Sequence, residues 1–234
     1  MKKLIIALMM GAVSNLALAG GVEDDPVLTK LIVDKLEYRN GEDSDHMLLI
    51  DADAWIGRDL HKLWLKTEVE RVEAATEEAE VQLLYSRAIS PFWDAQIGWR
   101  HDARPRPNRD WLALGVKGTA PYLIEMDAAL FYGESGQLAA RLDAEYEYMI
   151  TQRLVLIPEI EMNFHSKNDE ATGTGSGLSN IALGIRLGYE IKREFAPYLG
   201  INWAKKFGDT ADFAEEEGES SDDVQFVAGV RFWF

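Results

Sequence analysis

The chain of 234 residues has four histidines, His46, His61, His101 and His165, and no cysteine. Without thiols it can build neither a disulfide framework nor a thiolate metal site. Met47 follows His46 directly, and Met162 stands three residues before His165. Imidazole and thioether together suit copper, and the softer thioether favours Cu(I). Glu161 adds a carboxylate close to His165. The candidate metal ligands are therefore His46, Met47, His101, His165 and Glu161. No HxH, HxxxH or Met-rich run occurs, so four unrelated histidines also fit the spacing. Asn163, His165 and Ser166 have the residue types of a hydrolase site, but neighbours on a strand point to opposite faces. There is no phosphate loop, GxSxG elbow or HExxH, and no enzymatic activity is expected.

The elements that must carry these groups are strands. In the last eleven residues, Val224, Phe226, Ala228, Val230, Phe232 and Phe234 share one parity, while Gln225, Gly229 and Arg231 share the other. Successive strand side chains face opposite ways, so this strand has one apolar side and one more polar side. A terminal strand with an open apolar edge is a liability, and pairing it with the first strand removes the edge. The same alternation recurs over 47–56, 62–72, 80–88, 92–100, 111–118, 123–132, 137–148, 154–165, 180–190 and 195–205. The segment 28–39 is apolar on both parities in part, so its facing is ambiguous. With 224–234 these make twelve strands. Single-chain bacterial outer-membrane barrels have an even strand number.

The N-terminus reads as a secretory leader over 1–19. It has Lys2 and Lys3, then an apolar run about 15 residues long, and it ends on Ala17-Leu-Ala19. That run is short of the roughly 20 residues a spanning helix needs. Residues 20–27 are a short N-terminal segment, and 28–234 the barrel. With both termini periplasmic, the stretches 73–78, 102–108, 166–176 and 207–223 fall on the extracellular side, opposite short turns such as Ser90-Pro91. The expected fold is all-β: a twelve-stranded antiparallel transmembrane β-barrel with short periplasmic turns and longer extracellular loops, in contact with outer-membrane lipid. A soluble ligand-binding barrel would turn its apolar face inward. Here the charged parity suits the lumen, because Lys or Arg facing mid-membrane lipid costs about 2–4 kcal/mol.

Inward positions include Asp51, Asp53, Glu68, Glu70, Glu125, Asp127, Asp143, Glu145, Glu147, Glu159 and Glu161. Basic groups on the same face include Lys62, Lys66, Arg100, Lys117, Arg141 and Arg186. Such an interior reads as a salt-bridged plug, a cation-attracting conduit or a set of hard-ligand metal sites. A formal net charge of -16 excludes nucleic acid as a natural partner and favours cations.

Several stretches carry a resemblance. They are Trp64-Leu-Lys-Thr-Glu68, Ala79-Glu-Val-Gln82, Leu84-Tyr-Ser-Arg-Ala88, Ser90-Pro-Phe-Trp-Asp94 and Arg100-His-Asp-Ala-Arg-Pro105 with 111–116. Thr151-Gln-Arg-Leu154, Gly175-Ser-Gly-Leu-Ser179, 189–198 and Ala228-Gly-Val-Arg-Phe-Trp-Phe234 complete the set. On these the chain resembles the copper resistance protein B family of bacterial outer-membrane proteins. The resemblance implies a role in copper tolerance at the outer membrane, with copper ions bound or passed across it. It also implies periplasmic copper-handling proteins of the same resistance system as partners. Members typically carry a Met/His-rich segment before the barrel, whereas residues 21–26 here hold neither Met nor His. Copper capture then falls to a partner or to the lumen. A non-specific cation-preferring pore and a sealed structural barrel are the alternative readings.

Overall fold

Alternating side chains and turn residues produce a closed antiparallel barrel. The computed structural model describes residues 25–41, 46–72 and 75–234. The leader expected at 1–19, the start of the 20–27 segment, the turn residues 42–45 and residues 73 and 74 lie outside the described residues. The strands are β1 (Leu28–Gly41), β2 (Met47–Gly57), β3 (His61–Val72), β4 (Ala75–Ser90), β5 (Trp93–Arg104) and β6 (Arg109–Ala120). They continue with β7 (Ile124–Gly133) and β8, which runs over Leu138–Tyr146, breaks at Glu147 and resumes at Tyr148–Met149. The last four are β9 (Leu154–His165), β10 (Gly177–Tyr189), β11 (Phe195–Lys206) and β12 (Asp222–Trp233). Each pairs with its sequence neighbour, and β12 closes on β1. The seam is extended by the chain end: Phe234 N–H donates to Leu31 O at 2.8 Å and Leu31 N–H to Phe234 O at 3.0 Å.

Two stretches differ from their sequence reading. Most of the acidic stretch 73–78 is strand, since β4 begins at Ala75 and places Glu78 opposite Glu70. Glu78, Glu80 and Gln82 share the inward parity, while a register shift sets Thr76 opposite Arg71, so Glu78 belongs to a luminal face and not to a solvated loop. The acidic loop 207–223 contains a helix, α1 (Asp209–Glu217). Asp209 and Asp212 in its first turn suit the positive end of the helix dipole. It stops at Gly218, whose φ of 84° lies in the left-handed region and whose N–H caps the last turn.

The outer face is apolar. Leu65, Leu83, Ile97, Leu114, Leu130, Ile185, Leu199 and Ile201 all project from it, as hydrocarbon requires. Among the described residues no helix is long and apolar enough to cross a membrane. The ambiguous facing of β1 has a local cause. The pairing register slips between Val33 and Lys35, a β-bulge that sends Asp34 and Lys35 to the same side. Leu31 and Tyr38 lie outside. Asp34 meets Arg231 at 3.0 Å and Lys35 meets Glu159 at 3.2 Å in the lumen.

Past the bulge, Glu37 is fully buried and saturated with donors. It accepts from Arg186, from Arg39 at 2.8 Å and from the Tyr198 hydroxyl at 2.9 Å. The strands beneath this cluster carry glycine where bulk would collide. A Cβ at Gly229 would come within 2.7 Å of the Tyr198 ring, and one at Gly184 within 2.3 Å of the Arg186 guanidinium. Three strands, β1, β10 and β11, are thereby tied through one carboxylate. Glu37→Ala should lower unfolding stability by about 3–5 kcal/mol, since it leaves two guanidinium groups short of a buried partner. Ile185→Arg, on the lipid face, should cost about 2–4 kcal/mol. Denaturant titration of barrels folded into lipid vesicles measures both.

Candidate functional site

The lumen holds a cavity of about 460 Å³, lined by parts of β1 to β9 and β12. Its walls carry twelve carboxylates and five basic side chains, and Lys62, Arg100 and Arg186 reach Asp94, Glu80 and Glu159 from just beyond them, which leaves a surplus of acidic groups. Lys66 meets Asp127 at 2.5 Å, and Lys117 sits 3.3 Å from Asp53 and 3.6 Å from Asp127. Arg141 reaches Glu80 at 3.0 Å and Glu68 at 3.3 Å, while Arg100 reaches Glu80 at 2.8 Å and Asp102 at 2.7 Å. Arg231 gathers Asp34, Glu145 and Glu147 within 3.2 Å.

The register sets the acids against one another. Asp51 faces Glu68, and Glu68 faces Glu80. Asp127 faces Asp143, which faces Glu161; Glu125 faces Glu145, which faces Glu159. Like charges directly opposite on neighbouring strands repel. Lysines and arginines from the far wall relieve some of these pairs. Among the described residues, no basic side chain comes within 4.0 Å of Asp51, Glu125 or Asp143. The arrangement can attract and hold cations along a row of oxygens.

The candidate metal ligands are divided between the two faces of the wall. His165 has the luminal parity of Glu161 and Asn163, and its Nδ1 lies 2.8 Å from the Ser179 hydroxyl. That hydroxyl donates its one proton to Gly175 O at 2.9 Å, so it accepts from Nδ1–H. The Nε2 lone pair of His165 is then free for a ligand. Glu161 is also luminal and accepts from Asn163 Nδ2 at 2.7 Å. Met47 shares the luminal parity of buried Leu49, whereas exposed His46 lies beside the ring of outward-facing Tyr38, 5.4 Å between centroids. The adjacent pair is split. His101 shares the outward parity of Trp99 and stacks on it at 5.5 Å. Its Nδ1 lies 2.8 Å from Asp110, which also accepts from the Trp99 indole. His61 stacks on Tyr85 at the opposite end of the barrel. No group of three or more His, Asp or Glu is placed to hold a metal among the described residues. Of the sequence candidates, then, His165, Glu161 and Met47 face the lumen and His46 and His101 do not.

Ser166 is not the partner of His165: its hydroxyl accepts from Leu138 N–H at 2.8 Å. Sequence reasoning missed Lys35, Glu37 and Arg39 as luminal groups because the bulge reverses their parity. Glu80 and Asp94 carried the right alternation and were visible as polar members of their strands.

The porin NanC superposes with a TM-score of 0.56 at 13% identity, covering 88% of this chain and 99% of that one. The KdgM porin gives 0.52 at 10%, over 88% and 99%, and the outer membrane phospholipase A of Escherichia coli gives 0.52 at 12%, over 87% and 92%. These likenesses concern the barrel fold. In sequence, copper resistance protein B of Escherichia coli is 42% identical over 213 residues, which is 91% of this chain and 72% of that protein. The copper resistance protein B homolog of Pseudomonas syringae pv. tomato is 42% identical over the same shares. The family model described as copper resistance protein B precursor matches residues 27–234. The chain, an outer-membrane β-barrel by its fold, belongs to the copper resistance protein B family.

Proposed function

We propose that this barrel serves copper resistance by taking copper ions into its lumen and passing them across the outer membrane, without catalysis. The observation that carries the reading is the excess of carboxylates on the cavity wall, twelve against five lining basic groups and the three, Lys62, Arg100 and Arg186, that reach in from beyond it. A cation entering this space replaces the counter-charge that the protein leaves out. The unrelieved pair Asp143–Glu161 and the free Nε2 of His165 supply oxygen and nitrogen donors suited to Cu(II). With Met47 these are luminal donors at separate points along the wall, which would hand an ion on and not enclose it in one site. His46 and His101, on the outside, would act at the extracellular rim before entry. Periplasmic copper-handling proteins of the same system would meet the ion at the other end.

The density of ion pairs favours a second reading, a sealed structural barrel. Lys66, Lys117, Arg141 and Arg231 reach into the cavity and would have to shift for an ion to pass. The two readings separate on function. A strain lacking its own copy and complemented with this chain should regain copper tolerance, and His165→Ala with Glu161→Gln should lose most of it. Tolerance that stays at the wild-type level with both substitutions would sink the conduit. Asp143→Asn should act in opposite directions on two readouts. It should lower the preference for cations over anions in planar bilayers. It should also raise unfolding stability by about 0.2–1 kcal/mol for each like-charge contact removed.

A further inference from the structure

We propose that the loop joining β9 to β10, residues 166–176, is a strap drawn across the extracellular mouth, and that its two clasps hold the luminal pathway shut. This rests on the conduit reading above. The first clasp is Arg109, which opens β6 and has the inward parity of Trp111 and Ala113. Its guanidinium binds both oxygens of Asp169, at 2.8 and 3.0 Å. Two strands, β7 and β8, stand between β6 and the start of the strap, a distance of about 14 Å along the wall at the usual strand spacing. A contact made from the inner side of the wall over that span follows a chord across the opening and not the rim.

The second clasp lies on the other side. Gly175 N–H donates to the Thr210 hydroxyl of α1 at 2.8 Å, in a buried contact. Asn168 Nδ2 donates to Asp209 at 2.6 Å, and the same amide's oxygen accepts from Ser176 N–H at 2.8 Å. Gly175 has no room for a side chain: an added Cβ would stand 2.3 Å from Thr210 N and 2.7 Å from the Asp209 carbonyl carbon. The strap is a compact piece in itself, closed by Asp169 N–H to Thr174 O at 2.7 Å and by Thr174 N–H to Asp169 O at 3.1 Å. It therefore moves as one body. Its inner end is tied to the lumen, since Gly175 O is the acceptor of the Ser179 hydroxyl that holds His165. The loop thus links the β6 rim to the β11–β12 loop, with a luminal histidine beneath it.

Single-channel recording of the full chain in planar bilayers tests this. Asp169→Asn removes a bidentate charge-assisted pair and should raise the open fraction about tenfold. Gly175→Ala, which disturbs only the other clasp, should raise it as well. The exchange Arg109→Asp with Asp169→Arg should return the open fraction towards wild type. Because the chain has no cysteine, Asn168→Cys with Asp209→Cys gives a single engineered pair. Its oxidised form should conduct less than its reduced form. Heat-dependent gel mobility checks that each variant is a folded barrel. If wild type and all folded variants conduct alike, and oxidation changes nothing, the strap is not a closure and the conduit reading survives. If neither wild type nor a chain with 166–176 replaced by a short turn conducts, the conduit reading and the strap fall together.

Discussion

In hydrocarbon a peptide group has no water to bond, so every N–H and C=O of a spanning segment must find a partner within the protein. Strands satisfy this only when the sheet has no edge. The pairing of β12 with β1, completed by the reciprocal bonds between Leu31 and Phe234, is therefore the constraint on which the other features rest. Closure fixes the shear of the sheet. Shear fixes which luminal residue faces which. The opposition of Asp143 to Glu161, or of Glu125 to Glu145, is a result of that register and of no local preference.

The interior follows from this in two zones. Around Glu37 the polar groups are buried, and Arg186, Arg39 and Tyr198 together satisfy one carboxylate. This part joins β1, β10 and β11 as a core would join the layers of a soluble domain. Across the barrel the acids outnumber the bases, and among the described residues no basic side chain lies within 4.0 Å of Asp51, Asp143 or Glu125. A wall of this kind sacrifices stability and gains an attraction for positive ions. Membership of the copper resistance protein B family gives that attraction a biological setting.

Much of the fold was legible because a barrel in a membrane enforces a strict two-residue period. Leu154–His165 was read with its final limits, and the closing strand with its correct pairing. The period fails wherever the backbone departs from regular pleating. At β1 the bulge after Val33 exchanges the faces, and no residue type in 28–39 announces it. In 73–78 and 207–223 acidity suggested solvated loops, yet the first is mostly strand facing the lumen and the second encloses α1. The candidate ligands suffered from a related limit. Parity tells which face a histidine takes once the strand is known, and it placed His165 and Glu161 inside. It says nothing of a residue such as His46, which stands just outside a strand beside the ring of Tyr38.

The slip at Asp34 and Lys35 also sets how the chain can change. These two neighbours occupy a single inward step, one reaching Arg231 and the other Glu159. Losing one of them would restore an unbroken pleat and leave the rest of the strand in phase, because Val33 would still point out and its new neighbour in. Glu37 and Arg39 would keep their place among the charges, and Leu36 and Tyr38 theirs against acyl chains. Shortening by one residue is thus negotiable here at the loss of one luminal ion pair, whereas the same deletion further along would turn every later side chain to the wrong face.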